Sequence, residues 1–180
     1  NDGRNILSLN KGRAARYAFW QQMKLSEAQS KGLRLRQMPE IWFEYPEDRL
    51  DNPLIASVAV FACNRLLDRG ETAAARRAIE DLLVRKTGMP GLYRSLLTGD
   101  LLCCRLLESD ADGAKALVTA DWERFCKSMK TFPSVLRAQY FRAKLLDHDE
   151  AAAQKALAAF EKAAKTYPYP AEIESERELL

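Results

Sequence analysis

The sequence has few of the residues that usually carry catalysis. It contains 1 histidine, His148, in the turn Asp147-His148-Asp149, and no nearby residue completes a catalytic or metal-binding set. It has no HExxH motif, no nucleophile elbow, no glycine-rich phosphate loop and no Cys-x-x-Cys pair. These absences indicate that the chain has no catalytic residues and holds no cofactor of its own.

Long apolar runs are missing too, since none approaches the roughly 18–20 residues that a membrane-spanning helix needs. The 4 cysteines lie singly or adjacent within apolar helical segments, which is typical of buried free thiols in a reducing compartment. They are Cys63, Cys103, Cys104 and Cys126.

What is present is typical of a folded protein. Of the 180 residues, 47% are apolar and 29% are charged, which is enough apolar surface for a single domain with its own core. The net charge is +3, which argues against nucleic-acid binding by the whole domain.

Charge is unevenly distributed along the chain. The segment 4–36 holds 8 basic residues and 1 acidic residue, Glu27. Such a segment is either a solvated helix face or a surface that lies against anionic lipid head groups. In the second case we expect the basic side chains to share one side, away from the apolar stripe near Tyr17 and Trp20. The candidates are Arg13, Arg16, Lys24, Lys31, Arg34 and Arg36.

Apolar residues recur with helical periodicity, which predicts an all-α fold of antiparallel helix pairs. The first helix and a short acidic C-terminal helix flank three such pairs. The predicted helices are 11–31, 53–69, 71–86, 92–108, 114–132, 134–147, 150–166 and 172–180.

The last pair has the clearest pattern. Ala156, Phe160, Ala163 and Pro168 follow the spacing Ala-x3-Phe-x2-Ala-x4-Pro, which resembles the second helix of a tetratricopeptide repeat. We therefore predict a tetratricopeptide-repeat-like array: 1–10 as a linker from a preceding membrane region, 11–52 as an extra helix and aromatic loop, 53–168 as the three pairs, and 171–180 as the cap.

The segment between the first two helices has no period but is rich in aromatic residues. Trp42, Phe43 and Tyr45 lie between two prolines, Pro39 and Pro46. They either pack over the core or form an exposed patch for a protein or peptide partner, because Trp and Tyr are common at binding hot spots.

Several segments together resemble a known family. They are Asn1-Asp2-Gly3, Arg16-Tyr17-Ala18-Phe19-Trp20, Trp42-Phe43-Glu44, Phe61-Ala62-Cys63-Asn64-Arg65 and Lys165-Thr166-Tyr167-Pro168-Tyr169-Pro170. In this order they are similar to the C-terminal soluble region of bacterial membrane zinc metallopeptidases of the site-2 protease family. The resemblance implies that Asp2 is a zinc ligand of the intact protein, beside the two histidines of an HExxH motif elsewhere.

The resemblance also implies a function. The chain would be a non-catalytic interaction domain on the cytoplasmic face of the membrane, where it binds a protein or peptide and selects or regulates substrate. Two alternatives stay open: a free-standing cytosolic helical scaffold, and a nucleic-acid binder with a basic surface.

Overall fold

In a computed structural model, Leu9 and residues 12–180 are described, and all regular structure in this part of the chain is helical. This confirms the all-α prediction, whereas the tetratricopeptide-repeat-like arrangement stays a prediction. The helices are α1 (Arg13–Ser30), α2 (Pro53–Asp68), α3 (Thr72–Val84), α4 (Gly91–Leu107), α5 (Ala111–Leu117), α6 (Ala120–Ser128), α7 (Pro133–Phe141), α8 (Glu150–Ala164) and α9 (Pro170–Glu178).

The chain divides into two compact units, Asn1–Arg94 and Ser95–Leu180. We call them unit 1 and unit 2. Two compact units can belong to one domain or to two domains that fold separately. The prediction of a single domain therefore stays a prediction.

Unit 1 is built around α2, which packs against both α1 and α3. Uncharged residues fill α2 from Pro53 to Asn64, so nearly all of its sides are buried, as expected for a central helix. Asn52 caps its first turn, where the Asn52 Oδ1 accepts a hydrogen bond from the Leu54 amide at 2.9 Å. Three short 3₁₀ turns, Leu35–Gln37, Glu40–Phe43 and Glu47–Arg49, connect α1 to α2.

Unit 2 is organised by the packing of α7 against α8. The Phe160 ring is fully buried and contacts Leu136 and Ile173. Gly99 lies where α4 crosses a neighbouring helix, because a Cβ at this position would be 3.3 Å from the Ala138 Cβ. The close approach offsets the cost of about 1 kcal/mol that glycine brings to a helix.

Two predicted helices have different bounds in the structure. The prediction of one helix over 114–132 is wrong, because α5 ends at Leu117 and α6 begins at Ala120. Thr119 caps α6 by accepting a hydrogen bond from the Trp122 amide at 3.2 Å. The break is not evident from the sequence, because no glycine or proline lies between the two helices. The helix predicted over 134–147 is α7 followed by a π-helical turn, Arg142–Leu146.

Candidate interaction surface

An exposed group of aromatic and apolar side chains lies on α1 and on the adjoining 3₁₀ turn of unit 1. The Tyr17 and Trp20 rings are stacked with centroids 5.3 Å apart, and Trp20 meets Trp42 edge to face at 6.4 Å. Met23, three residues after Trp20, is on the same side of the helix and is 57% exposed. We call Tyr17, Trp20, Met23 and Trp42 the aromatic surface.

The opposite side of α1 explains why these rings face outward. Buried residues recur every three or four positions on that side and anchor the helix to the core. They are Ala15, Ala18, Gln21, Leu25 and Ala28. With small residues and Leu25 turned inward, Tyr17 and Trp20 are left 41% exposed each.

A buried glutamine fixes the position of Trp42 beside α1. Gln21 is 1% exposed, and its Nε2 donates hydrogen bonds to the Ile41 carbonyl at 3.2 Å and the Glu44 carbonyl at 2.8 Å. These bonds hold the turn that carries Trp42 against the helix. The sequence does not mark Gln21 as a buried residue, because a glutamine within an amphipathic helix usually faces solvent.

A buried ion pair holds the beginning of the same loop. The Arg34 guanidinium donates to Asp68 Oδ1 from Nε at 2.9 Å and from Nη2 at 2.5 Å, and the Arg36 amide donates to Asp68 Oδ2 at 2.7 Å. Both Arg34 and Asp68 are buried. The loop is therefore attached to α1 through Gln21 and to the end of α2 through Asp68.

The three aromatic residues predicted to bind a partner are in different environments. Trp42 is half-buried and belongs to the aromatic surface, whereas Phe43 is 5% exposed and packs with the guanidinium of Arg65 4.9 Å from its ring. Tyr45 is half-buried, and burial raises its pKa to about 12. Phe43 is consequently a core residue, as in the alternative of packing over the core, so the three aromatic residues do not form one exposed patch.

The basic residues predicted to face a membrane do not form one group either. Arg34 is excluded, since it is buried against Asp68. Lys24 and Lys31 both pair with Glu27, at 3.0 Å and 2.6 Å, and their hydrogen bonds lower the pKa of Glu27 to about 2. The remaining candidates, Arg13, Arg16 and Arg36, have exposed side chains.

The prediction that the basic side chains lie away from Tyr17 and Trp20 is wrong for Arg13 and Arg16. Each lies four residues before an exposed ring, Tyr17 and Trp20 respectively, and so shares its side of α1. Tyr17 and Trp20 do not form a buried stripe, because they lie at the surface among the arginines. The side of α1 that faces away from the core is therefore both aromatic and basic.

Residues with metal-binding chemistry do not converge in the part of the chain that is described. No group of three His, Cys, Asp or Glu side chains there could hold a metal ion. His148 lies in an exposed turn with φ 51°, and Asp2 lies outside the described residues. All four cysteines are free and buried, as predicted, and burial raises the pKa of Cys103 to about 12.

Unit 2 has a shallow groove of about 250 Å³ along α8 and α9. Glu161, Lys165, Ile173 and Arg177 are among its lining residues. Small-molecule sites are usually larger, roughly 300–1,000 Å³, so the size of this groove does not favour a ligand site.

Comparisons of the chain with protein-family models, with curated proteins and with solved structures found no match. Among the described residues, no helix combines the length and apolar character needed to cross a bilayer.

Proposed function

We propose that this chain is a non-catalytic interaction domain that docks through the aromatic surface of unit 1. The observation that carries the proposal is that two stacked rings and a perpendicular third, Tyr17, Trp20 and Trp42, lie at the surface of a helix whose other side is packed. Exposed Trp and Tyr supply large contact areas at a low cost in side-chain entropy, which is why they dominate binding hot spots.

The surface is also rigidly placed. Trp42 is held by the two hydrogen bonds of Gln21, and Gln22 donates from Nε2 to the Leu54 carbonyl at 3.0 Å, which ties α1 to α2. Fixed rings lose little freedom on binding, so more of the contact energy is available for affinity.

We further propose that the domain belongs to a membrane-bound zinc metallopeptidase, for which it selects or regulates substrate. The support is the resemblance of its segments to the site-2 protease family, in which Asp2 would be a zinc ligand of the intact protein. The alternative is a free-standing cytosolic scaffold. The intact reading frame distinguishes them: hydrophobic segments with an HExxH motif before Asn1 support the metallopeptidase, and a frame without them refutes it.

A second partner class, an anionic membrane surface, is favoured by a specific observation. Arg13 and Arg16 are exposed on the same side of α1 as Tyr17 and Trp20. Tyr and Trp rings settle at the head-group level of a bilayer, and each nearby basic residue contributes about 1 kcal/mol on an anionic surface. A helix that presents both is suited to lie on such a membrane.

Sedimentation with vesicles tests this membrane contact. We expect the domain to bind vesicles with anionic lipid at low salt and not to bind neutral vesicles. It should dissociate from the anionic vesicles as the salt concentration rises, because salt screens the attraction beyond a Debye length. Replacing Arg13, Arg16 and Lys24 with glutamine should remove most of the binding. Lys24 is included because it lies one turn after Trp20 on the same side of α1, and because Glu27 is shared between Lys24 and Lys31 and so balances only one of these two charges.

The matched control replaces three exposed lysines of unit 2, Lys127, Lys130 and Lys155, with glutamine. This triple variant has the same net charge as the first one and should still bind. Equal loss of binding in the two variants, or equal binding of the wild type to neutral vesicles, would refute the membrane contact of α1.

A further inference from the structure

Unit 2 contains a buried ionic cluster centred on Arg137 of α7. Arg137 is 2% exposed, and its guanidinium donates from Nη2 to Asp100 Oδ1 at 2.6 Å and from Nε to Glu176 Oε2 at 2.5 Å. Asp100 comes from α4 and Glu176 from α9, so one cation joins three helices of the unit. The side chains of the two carboxylates are 8% and 12% exposed.

A third carboxyl group faces the same cluster. Glu172 lies one helical turn before Glu176 on α9, and its Oε1 accepts a hydrogen bond from the Tyr167 hydroxyl at 2.9 Å. The other ionisable groups that act on the cluster are Cys103 beside Arg137 and Tyr169 beside Tyr167. Cys104 lies beside Cys103.

The cluster has more acid than base. Asp100, Glu172 and Glu176 are set against the single guanidinium of Arg137, and the nearby thiol and phenols supply no positive charge. Asp100 and Glu176 share this cation, and their charges also act on Glu172, so the arrangement is most stable when one of the three carboxyl groups carries a proton.

Glu172 is the group best placed to carry that proton. Burial, followed by the charges of Glu176 and Asp100, raises its pKa from 4.5 to about 7. Burial likewise raises the pKa of Asp100 and Glu176, but the Arg137 guanidinium bonds both of them directly and opposes that shift. In the part of the chain that the structure describes, Glu172 bonds the neutral Tyr167 hydroxyl and no cation, and this bond lowers its pKa by less than burial and Glu176 raise it.

We propose that α9 is a proton-dependent latch, closed on α7 and α8 when Glu172 is protonated and opening as Glu172 ionises. The proposal is independent of the aromatic surface of unit 1. Opening would release Ile173 from its contact with Leu136 and Phe160 and so uncover an apolar patch on α7 and α8. The pairing of Arg177 with Glu161 at 2.8 Å lies at the exposed edge of α9 and does not change charge near neutral pH.

The direction of the effect follows from proton linkage. A carboxyl group whose pKa is higher in the closed state binds more protons there than in the open state. Protonation of Glu172 therefore stabilises the closed state fully below about pH 4.5. This stabilisation is lost as the pH rises through about 7. Over one pH unit within this window the closed-to-open ratio falls by up to about tenfold.

Nuclear magnetic resonance on the whole chain tests the latch. The carboxyl carbon of Glu172 should titrate near pH 7, and the amides of residues 171–178 should exchange about tenfold more readily at pH 8 than at pH 6, after correction for the intrinsic rate. Glu172→Gln keeps a hydrogen-bond acceptor for the Tyr167 hydroxyl but carries no charge, so α9 should stay closed at both pH 6 and pH 8.

Glu174→Gln is the control, because Glu174 is an exposed carboxylate on the same helix. It should keep the pH dependence of the wild type. A Glu172 titration near 4.5 would overturn the proposal without any variant. The proposal would also be overturned if amide exchange in Glu172→Gln depended on pH as it does in the wild type.

Discussion

At the scale of single residues, the backbone around Gly88 sets the tightest constraint in unit 1. The Gly88 amide donates to the Leu50 carbonyl at 2.8 Å, and a Cβ at this position would lie 2.1 Å from the Asp51 carbonyl oxygen. Backbone atoms cannot move aside as a flexible side chain can. Glycine at this point lets the segment before α4 approach the beginning of α2.

Gly88→Ala should therefore lower the free energy of unfolding by about 1–3 kcal/mol, the usual cost of forcing an atom into a packed site. Gly91→Ala is the matched control, because nothing lies within 4 Å of a Cβ there. It should leave stability unchanged or raise it slightly. Urea denaturation of both variants measures the difference, and equal effects would contradict the assigned contact.

At the scale of elements, the loop between α1 and α2 depends on the pair Arg34–Asp68. Asp68 accepts three hydrogen bonds from this loop, and its removal would take the carboxylate away from a buried guanidinium. Breaking a buried pair in this way costs about 3–5 kcal/mol.

Asp68→Ala should destabilise unit 1 by about that amount in chemical denaturation. Replacing both partners, as Arg34→Met with Asp68→Leu, should recover much of the loss because both charges of this pair are removed together. Asp81→Ala serves as the control, since Asp81 pairs with Arg85 at an exposed position and should matter little. A double variant as unstable as Asp68→Ala would show that the packing, not the buried charge, is what is lost.

Elements with strong local signals were predictable from the sequence. The first helix was expected over 11–31 and is Arg13–Ser30, and the second was expected to begin at Pro53, as it does. Apolar periodicity and a polar cap next to a proline are local features, so they can be read without the fold. The complete burial of Phe160 likewise follows from the periodicity of α8.

The candidate surface was only partly predictable, for physical reasons. The 3₁₀ turns have no long period, so the sequence could not say that Phe43 turns inward while Ile41 is 54% exposed. The burial of Arg34 depends on Asp68, 34 residues further along the chain. The sequence predicts an apolar stripe that includes Tyr17 and Trp20, because large rings usually pack inward.

At the scale of the whole molecule, the proposed docking surface lies in unit 1 and the proposed latch lies in unit 2. The side chains with raised pKa values are held in structural contacts, such as Glu172 with Tyr167, and the largest exposed rings gather on α1 and its adjoining turn. The proposed binding by unit 1 and the proposed latch of unit 2 do not depend on each other. Each can be measured while the other is left intact.

Site-specific photocrosslinking tests the central claim most directly. A photoreactive phenylalanine analogue would replace Trp20 in the intact protein, and in a second variant Val84, which is 83% exposed at the end of α3. Position 20 should form adducts with protein or lipid in much higher yield than position 84 in the native cells, and Arg16→Gln should reduce those adducts if the partner is anionic. Equal yields at the two positions would contradict docking through the aromatic surface.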